Sequence, residues 1–295
     1  MLVHRRTADL LDWRNAIPSG TPIAFVPTMG YLHDGHLSLL SEARRRAGTD
    51  GQVVLSIFVN PTQFGPNEDL DRYPRDEAGD LAKAASCGVD LAFCPSHPRE
   101  LYPGTPAGTS SGADAAANTG ATWVNVEGLD AHLCGRSRPG HFRGVCTVVC
   151  KLLGLVRPDV SLFGEKDFQQ LAILRRMHAD LFLPGTIVGM PIVREHDGLA
   201  MSSRNANLDP VARVAALAIP RFLAEVRRRF AAGERASAAL VDGAAAALAP
   251  GRVDYVEVVD AASLQPVEAI TGPTLCAVAV HFGGVRLIDN TVLLP

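Results

Sequence analysis

Phe25-Val-Pro-Thr-Met-Gly-Tyr-Leu-His33-Asp-Gly-His36 is the stretch whose reading decides the fold. The apolar run Ile23–Val26 reads as a strand, and Pro27 is expected to end it, because proline has no N–H to give a ladder. Gly30 and Gly35 suit a tight turn that lets backbone approach a ligand. Beyond the turn, Leu37, Leu40, Ala43 and Ala47 recur at helical spacing, so a helix is predicted to start between Asp34 and His36. The free N–H groups and positive dipole end of that helix suit a phosphate. His33 and His36 lie three apart and can reach one spot. Three uses of the pair stay open on these residues. As metal ligands they lack the i, i+4 spacing and glutamate of a zinc-protease helix and a nearby third ligand. As polar residues of a helix cap they would be ordinary. As two imidazoles donating to phosphate oxygens they would form a nucleotide site of the H-x-G-H type, distinct from a P-loop, since no G-x-x-x-x-G-K-[ST] occurs.

Working outward, short apolar runs alternate with helical patterns. Val53–Val59, Leu91–Cys94, Val160–Phe163 and Thr186–Val193 read as strands, with helices at Asp76–Cys87, Val145–Val156 and Phe168–Leu181. The expected fold is α/β: a Rossmann-like parallel sheet over residues 1–190. From Asn205 onward the pattern changes. Helices are predicted over Pro210–Ala232 and Ala236–Leu248, and strands over Val253–Val259, Leu275–His281 and Val285–Ile288. Residues 191–295 are therefore expected to form a smaller α+β C-terminal domain. The Gly/Ala/Ser/Thr-rich stretch Pro103–Gly120 is expected as a mobile loop or lid.

Composition narrows the function. The 295 residues are 47% hydrophobic and 20% charged, as in a soluble globular protein. A net charge of −3 argues against nucleic acid as a partner. No run is long enough to span a membrane, and Met1-Leu-Val-His-Arg-Arg has no apolar signal region, so a cytoplasmic protein is expected. The six cysteines form no C-x-x-C, which fits a reducing compartment and no protein-built metal site.

Three further polar clusters follow the apolar runs. Asn60-Pro-Thr-Gln63-Phe offers neutral donors and acceptors for a hydroxyl or carboxylate, or simply turn chemistry. In Gly164-Glu165-Lys166-Asp167, Lys166 stands at a helix N-terminus, an awkward place for a cation unless it faces an anion, and Gln170 lies on the same side. An exposed loop lysine is the plainer alternative. Met201-Ser202-Ser203-Arg204 sets two hydroxyls beside a guanidinium that can fork onto phosphate, at the expected domain joint; a plain N-cap is the alternative for either serine.

Together P-T-M-G-x-L-H-x-G-H (27–36), F-V-N-P-x-Q-F (58–64), R-P-G-H-F-x-G-V (138–145), F-G-E-K-D-x-Q-Q (163–170) and D-G-L-A-M-S-S-R-N (197–205) resemble the pantoate–β-alanine ligase family, in order and over nearly the whole chain. The H-x-G-H and S-S-R elements alone would be shared with nucleotidyltransferases and class I aminoacyl-tRNA synthetases. The resemblance implies ATP-dependent condensation of pantoate with β-alanine in the coenzyme A pathway, Mg²⁺ carried with ATP, a homodimer, and a C-terminal domain acting as lid. It places Met29, Gly30, Tyr31, Leu32, His33, Asp34, Gly35, His36, Gly164, Glu165, Lys166, Asp167, Val193, Met201, Ser202, Ser203 and Arg204 at ATP. It gives His33, His36, Lys166, Ser202, Ser203 and Arg204 to catalysis, Gln63 and Gln170 to pantoate, and Gln63 also to β-alanine. A nucleotidyltransferase that stops at the adenylate, or a non-catalytic nucleotide binder, are the competing classes.

Overall fold

The computed structural model describes residues 1–66, 68–104 and 122–295, so residues 105–120 of the expected loop or lid lie outside the described part. The chain divides into two compact units. One comprises Met1–Glu127, Arg138–Glu165 and Ile173–Pro191; the other Gly128–Ser137, Lys166–Ala172 and Ile192–Pro295. The segments 128–137 and 166–172 group with the second unit because side chains tie them there: Gln169 donates to the carbonyls of Leu129 and His132, and Asn290 to that of Lys166.

The first unit is built on a parallel six-stranded sheet in the order β1-β4-β3-β2-β5-β6. Its strands are β1 Leu2–His4, β2 Ile23–Thr28, β3 Gln52–Ile57, β4 Leu91–Phe93, β5 Val160–Gly164 and β6 Thr186–Met190. Helices α1 Thr7–Ala16, α2 Asp34–Ala47 and α3 Glu77–Ser86 lie between the early strands, and the helix His141–Val156 precedes β5. Leu39, Leu40, Ala43 and Ala47 of α2 are buried with Ala24, Val26, Val53 and Leu55 of the sheet. Strands covered on both faces lose the polar alternation of half-exposed ones, which is why β2 and β3 read as apolar runs.

Pro27 does not end β2, which runs on through Thr28 with Pro27 opposite Ser56 of β3. The even-numbered residues of β2 point their backbone groups at β3, as Gln52 N–H on Pro22 and Phe58 N–H on Thr28 show; the odd ones point toward β5, as Asp159 N–H on Ile23 shows. Pairing with β5 stops at Phe25, so the donor that Pro27 lacks would have met no strand. β6 stops at Met190 because Pro191 follows. β1 and α1 have no counterpart in the sequence reading: three residues at a sheet edge carry no readable period.

The second unit contains an antiparallel sheet, β7 Arg252–Asp260, β8 Thr274–Phe282 and β9 Val285–Leu293, in that order. Ile219, Phe222, Leu223 and Val226, at helical spacing, share its core with Cys276, Val278, Val280, Leu287 and Leu293. The helix expected over Pro210–Ala232 is two, Pro210–Ala215 and Ala218–Ala231. Pro220 accounts for the break, since its ring crowds the carbonyl four residues back, at Ala216. Likewise Ala236–Leu248 is two short helices, Ser237–Leu240 and Ala244–Ala247, parted by Gly243 at φ +75°. β9 extends five residues past the expected end at Ile288.

Candidate active site

In the first unit the chain leaves β2 through β3 to β4, then returns to the other side of β2 for β5 and β6. At such a reversal the loops after the two adjoining strands diverge, and ligands bind beyond the strands' carboxyl ends. The turn after β2 is the Met29–His33 stretch; β5 ends at Gly164.

A buried carboxylate shapes that turn. Gly30 has φ +82° and Tyr31 φ +54°, left-handed conformations that a tyrosine adopts only when held. Asp80, at the start of α3 and 1% exposed, accepts the N–H of Tyr31 at 2.7 Å and of Leu32 at 2.6 Å. Lys83 Nζ donates to the Leu32 carbonyl at 2.7 Å. A Cβ at Gly30 would stand 2.9 Å from both Asp80 Oδ2 and Ile57 Cγ2, so the close approach needs glycine. Burial pushes the Asp80 carboxyl above the usual aspartate range, opposed by the N–H groups of Leu32 and Tyr31. The Leu32 side chain is buried in the core, so only its backbone faces the turn.

The helix that follows is capped by its two histidines. His33 Nδ1 accepts the Gly35 N–H at 3.2 Å, and His36 Nδ1 accepts the His33 N–H at 3.3 Å, with ring centroids 4.1 Å apart. This is a capping box made of imidazoles. With Nδ1 accepting in each, a neutral ring carries its hydrogen on Nε2. The cap reading is thus realised through the Nδ1 atom of each ring. Asp34 is exposed in the first turn and Gly35 is half-buried. Among the described residues no group of three His, Cys, Asp or Glu could hold a metal ion.

Gln63 lies at the end of a 3₁₀ turn, Pro61–Gln63, and is 8% exposed. Its Nε2 is 2.9 Å from Met29 Sδ and its Oε1 accepts from Asn60 Nδ2 at 3.3 Å. Its carbonyl receives His141 Nδ1 at 2.8 Å and Arg138 Nη2 at 3.3 Å. A carbonyl only accepts and a guanidinium only donates, so His141, whose Nε2 is 3.0 Å from Arg138 Nη1, is held as the Nδ1–H tautomer. Gly144 lets its helix reach this turn: a Cβ there would be 2.4 Å from the Thr62 carbonyl oxygen.

Gly164 and Glu165 belong to the first unit, and Lys166, Asp167, Gln170, Val193 and Met201–Arg204 to the second. Lys166 lies in a 3₁₀ turn, Glu165–Asp167, leading into the helix Phe168–Asp180, with Nζ 3.3 Å from Asp167 Oδ2. Its helix-start position is therefore offset in part by its own neighbour. Gln170 is half-buried, whereas adjacent Gln169 is buried and structural. Ser202 caps the 3₁₀ helix Ser203–Asn207 by accepting the Arg204 N–H at 3.3 Å, and Ser203 is 6% exposed. Met201 N–H donates to the Val193 carbonyl at 3.0 Å, closing a hairpin whose arms also bridge at Arg194 and Ala200.

Comparison with known proteins decides between the enzyme classes that share these elements. The pantoate-beta-alanine ligase family profile matches residues 2–292. The chain belongs to the pantoate–β-alanine ligase family. Pantothenate synthetase of Anaeromyxobacter dehalogenans is 56% identical over 277 residues, covering 92% of this chain and 91% of the relative. That of Pelobacter propionicus is 53% identical over 283 residues, covering 95% and 93%. The crystal structure of pantothenate synthetase from Thermus thermophilus superimposes with a TM-score of 0.88 at 43% identity, covering 100% of both chains. A pantoate-beta-alanine ligase structure from Francisella tularensis, complexed with beta-gamma ATP and beta-alanine, gives a TM-score of 0.77 at 31% identity, covering 99% of this chain and 97% of that one.

Against the family's motifs, sequence reasoning missed Asp80, Arg138 and His141 as shapers of the site. Asp80 reads as one more acid in a helix's first turn, and its partners lie 48 and 49 residues away. Arg138 and His141 belong to a quoted motif, but nothing in their spacing names the Gln63 carbonyl as their target.

Proposed function

We propose that this ligase family member joins pantoate to β-alanine with ATP, through a pantoyl-adenylate. A pantoate carboxylate oxygen attacks the α-phosphorus, and the bond from that phosphorus to the bridging oxygen breaks as pyrophosphate leaves. The β-alanine amine then attacks the acyl carbon, the bond to the AMP oxygen breaks, and the nitrogen gives up a proton. The observation that carries the reading is the H-x-G-H turn at the carboxyl end of β2, where both imidazoles are oriented at a helix N-terminus by a reciprocal Nδ1 cap.

His33 and His36 donate to phosphate oxygens as charge builds on them, alongside Lys166, the Ser202 and Ser203 hydroxyls and Arg204. Met29–His36, Gly164–Asp167, Val193 and Met201–Arg204 are the residues that would hold ATP, and Mg²⁺ would come with the nucleotide and neutralise phosphate charge. Gln63 and Gln170 hold pantoate, and Gln63 borders β-alanine. Most of the second step is positioning of amine against anhydride. The enzyme acts as a homodimer in the cytoplasm; six free thiols fit a reducing compartment, and no helix among the described residues is long and apolar enough to cross a membrane.

The test is exchange of labelled pyrophosphate into ATP. With pantoate present and β-alanine absent, label enters ATP if a reversible adenylate forms. Exchange that needs β-alanine would mean that no free-standing adenylate precedes the amine.

A further inference from the structure

β9 carries two polar residues side by side in its interior, Asp289 at 2% exposure and Asn290 at 5%. Successive residues of a strand address opposite faces, so the pair reaches two different segments. Asp289 forks onto the Arg194 guanidinium, with contacts of 2.7 and 3.0 Å. Arg194 Nη1 also donates to the Gly198 carbonyl at 3.0 Å, in the hairpin that leads into Met201–Arg204. Asn290 Nδ2 donates to the Lys166 carbonyl at 2.9 Å, while its own N–H is held by Asp289 Oδ1 at 2.8 Å. Lys166 and Arg204 are 38 residues apart in sequence, yet both segments hang from adjacent positions on one strand. Burying a carboxylate and an amide costs free energy that apolar residues would not. The return is a fixed backbone at Lys166.

We propose that Asn290 is a positioning residue for adenylate formation: it pins the Lys166 backbone to β9, and through Asp289 and Arg194 that same strand carries the Met201–Arg204 segment. Lys166 and Arg204 then reach the nucleotide as one body rather than as two independently moving loops. The inference rests on the reading of Lys166 as a phosphate-binding cation. Asn290 acts through Lys166.

The experiment is a double-mutant cycle on the full-length enzyme, read as pantoate-dependent pyrophosphate release from ATP. Asn290→Ala is expected to lower kcat roughly tenfold, a misplacement effect, and to leave the KM for β-alanine unchanged. In a Lys166→Ala background the same substitution should change kcat less than about twofold, because groups acting through one another are not additive. Asn290→Gln, which keeps the amide donor, should recover part of the rate. Asn290→Leu serves if the alanine variant does not fold. A full Asn290→Ala effect persisting in the Lys166→Ala background would overturn the inference, and so would an unchanged Asn290→Ala rate. If Lys166→Ala alone left turnover intact, the reading of Lys166 itself would be at fault.

Discussion

The turn at Met29–His36 and the hairpin segment at Arg194–Arg204 are each tied down by one buried aspartate, in opposite ways. Asp80 spends its carboxylate on two neutral backbone N–H groups. Asp289 spends its carboxylate on a guanidinium, in a two-pronged ion pair. The first arrangement shapes backbone into a strained, glycine-dependent turn, with no full countercharge among the described residues hydrogen-bonded to the buried acid. The second locks a charged side chain and tolerates little loss of either partner. Deleting one partner of the guanidinium pair leaves the other charge without its counter-ion.

The contrast can be broken in three places. Asp289→Ala should cost about 3 kcal/mol of folding stability, since it strands Arg194 with its charge only partly solvated. Urea unfolding followed by far-UV circular dichroism measures it, and a loss under about 1 kcal/mol would class the pair with solvated surface bridges. Gly30→Ala comes next, at about 1–3 kcal/mol, because the new Cβ meets Asp80 Oδ2 and Ile57 at 2.9 Å in a φ +82° backbone. An unchanged unfolding midpoint would show that the turn can yield.

The smallest effect is on pH. Asp80 holds its proton to higher pH in the folded chain than in the unfolded one. The stability this contributes is complete below the ordinary aspartate value of 3.8 and is lost as pH rises through the elevated value. Asparagine does not titrate there. Wild type should therefore lose stability relative to Asp80→Asn as the pH is raised out of the acid range, seen in urea midpoints over a pH series. A gap widening in favour of wild type would mean that the two N–H groups outweigh burial.

The same contrast explains what could be read from sequence. The β2–turn–α2 passage is local: apolar run, glycines and histidines lie within one short stretch, and its cap partners are two and three residues apart. The parallel sheet is legible because buried strands are continuous apolar runs. What anchors the site is not local. Arg194 and Asp289 are 95 residues apart, and Asn290 and Lys166 are 124. The expected end of β9 falls short at Ile288 for this very reason: Asp289 and Asn290 break the apolar pattern, and they are the residues that grip the two candidate phosphate-binding segments. Likewise Pro27 misleads because what matters is which neighbour its missing N–H would have faced, a property of strand order.

The most direct test of the central claim is to follow AMP and pantothenate together, from MgATP and pantoate, with and without β-alanine. The ligase reading predicts stoichiometric AMP and pantothenate only when both acids are present. Pyrophosphate release that ignores β-alanine, with no pantothenate formed, would contradict it and make the protein a nucleotidyltransferase that stops at the adenylate.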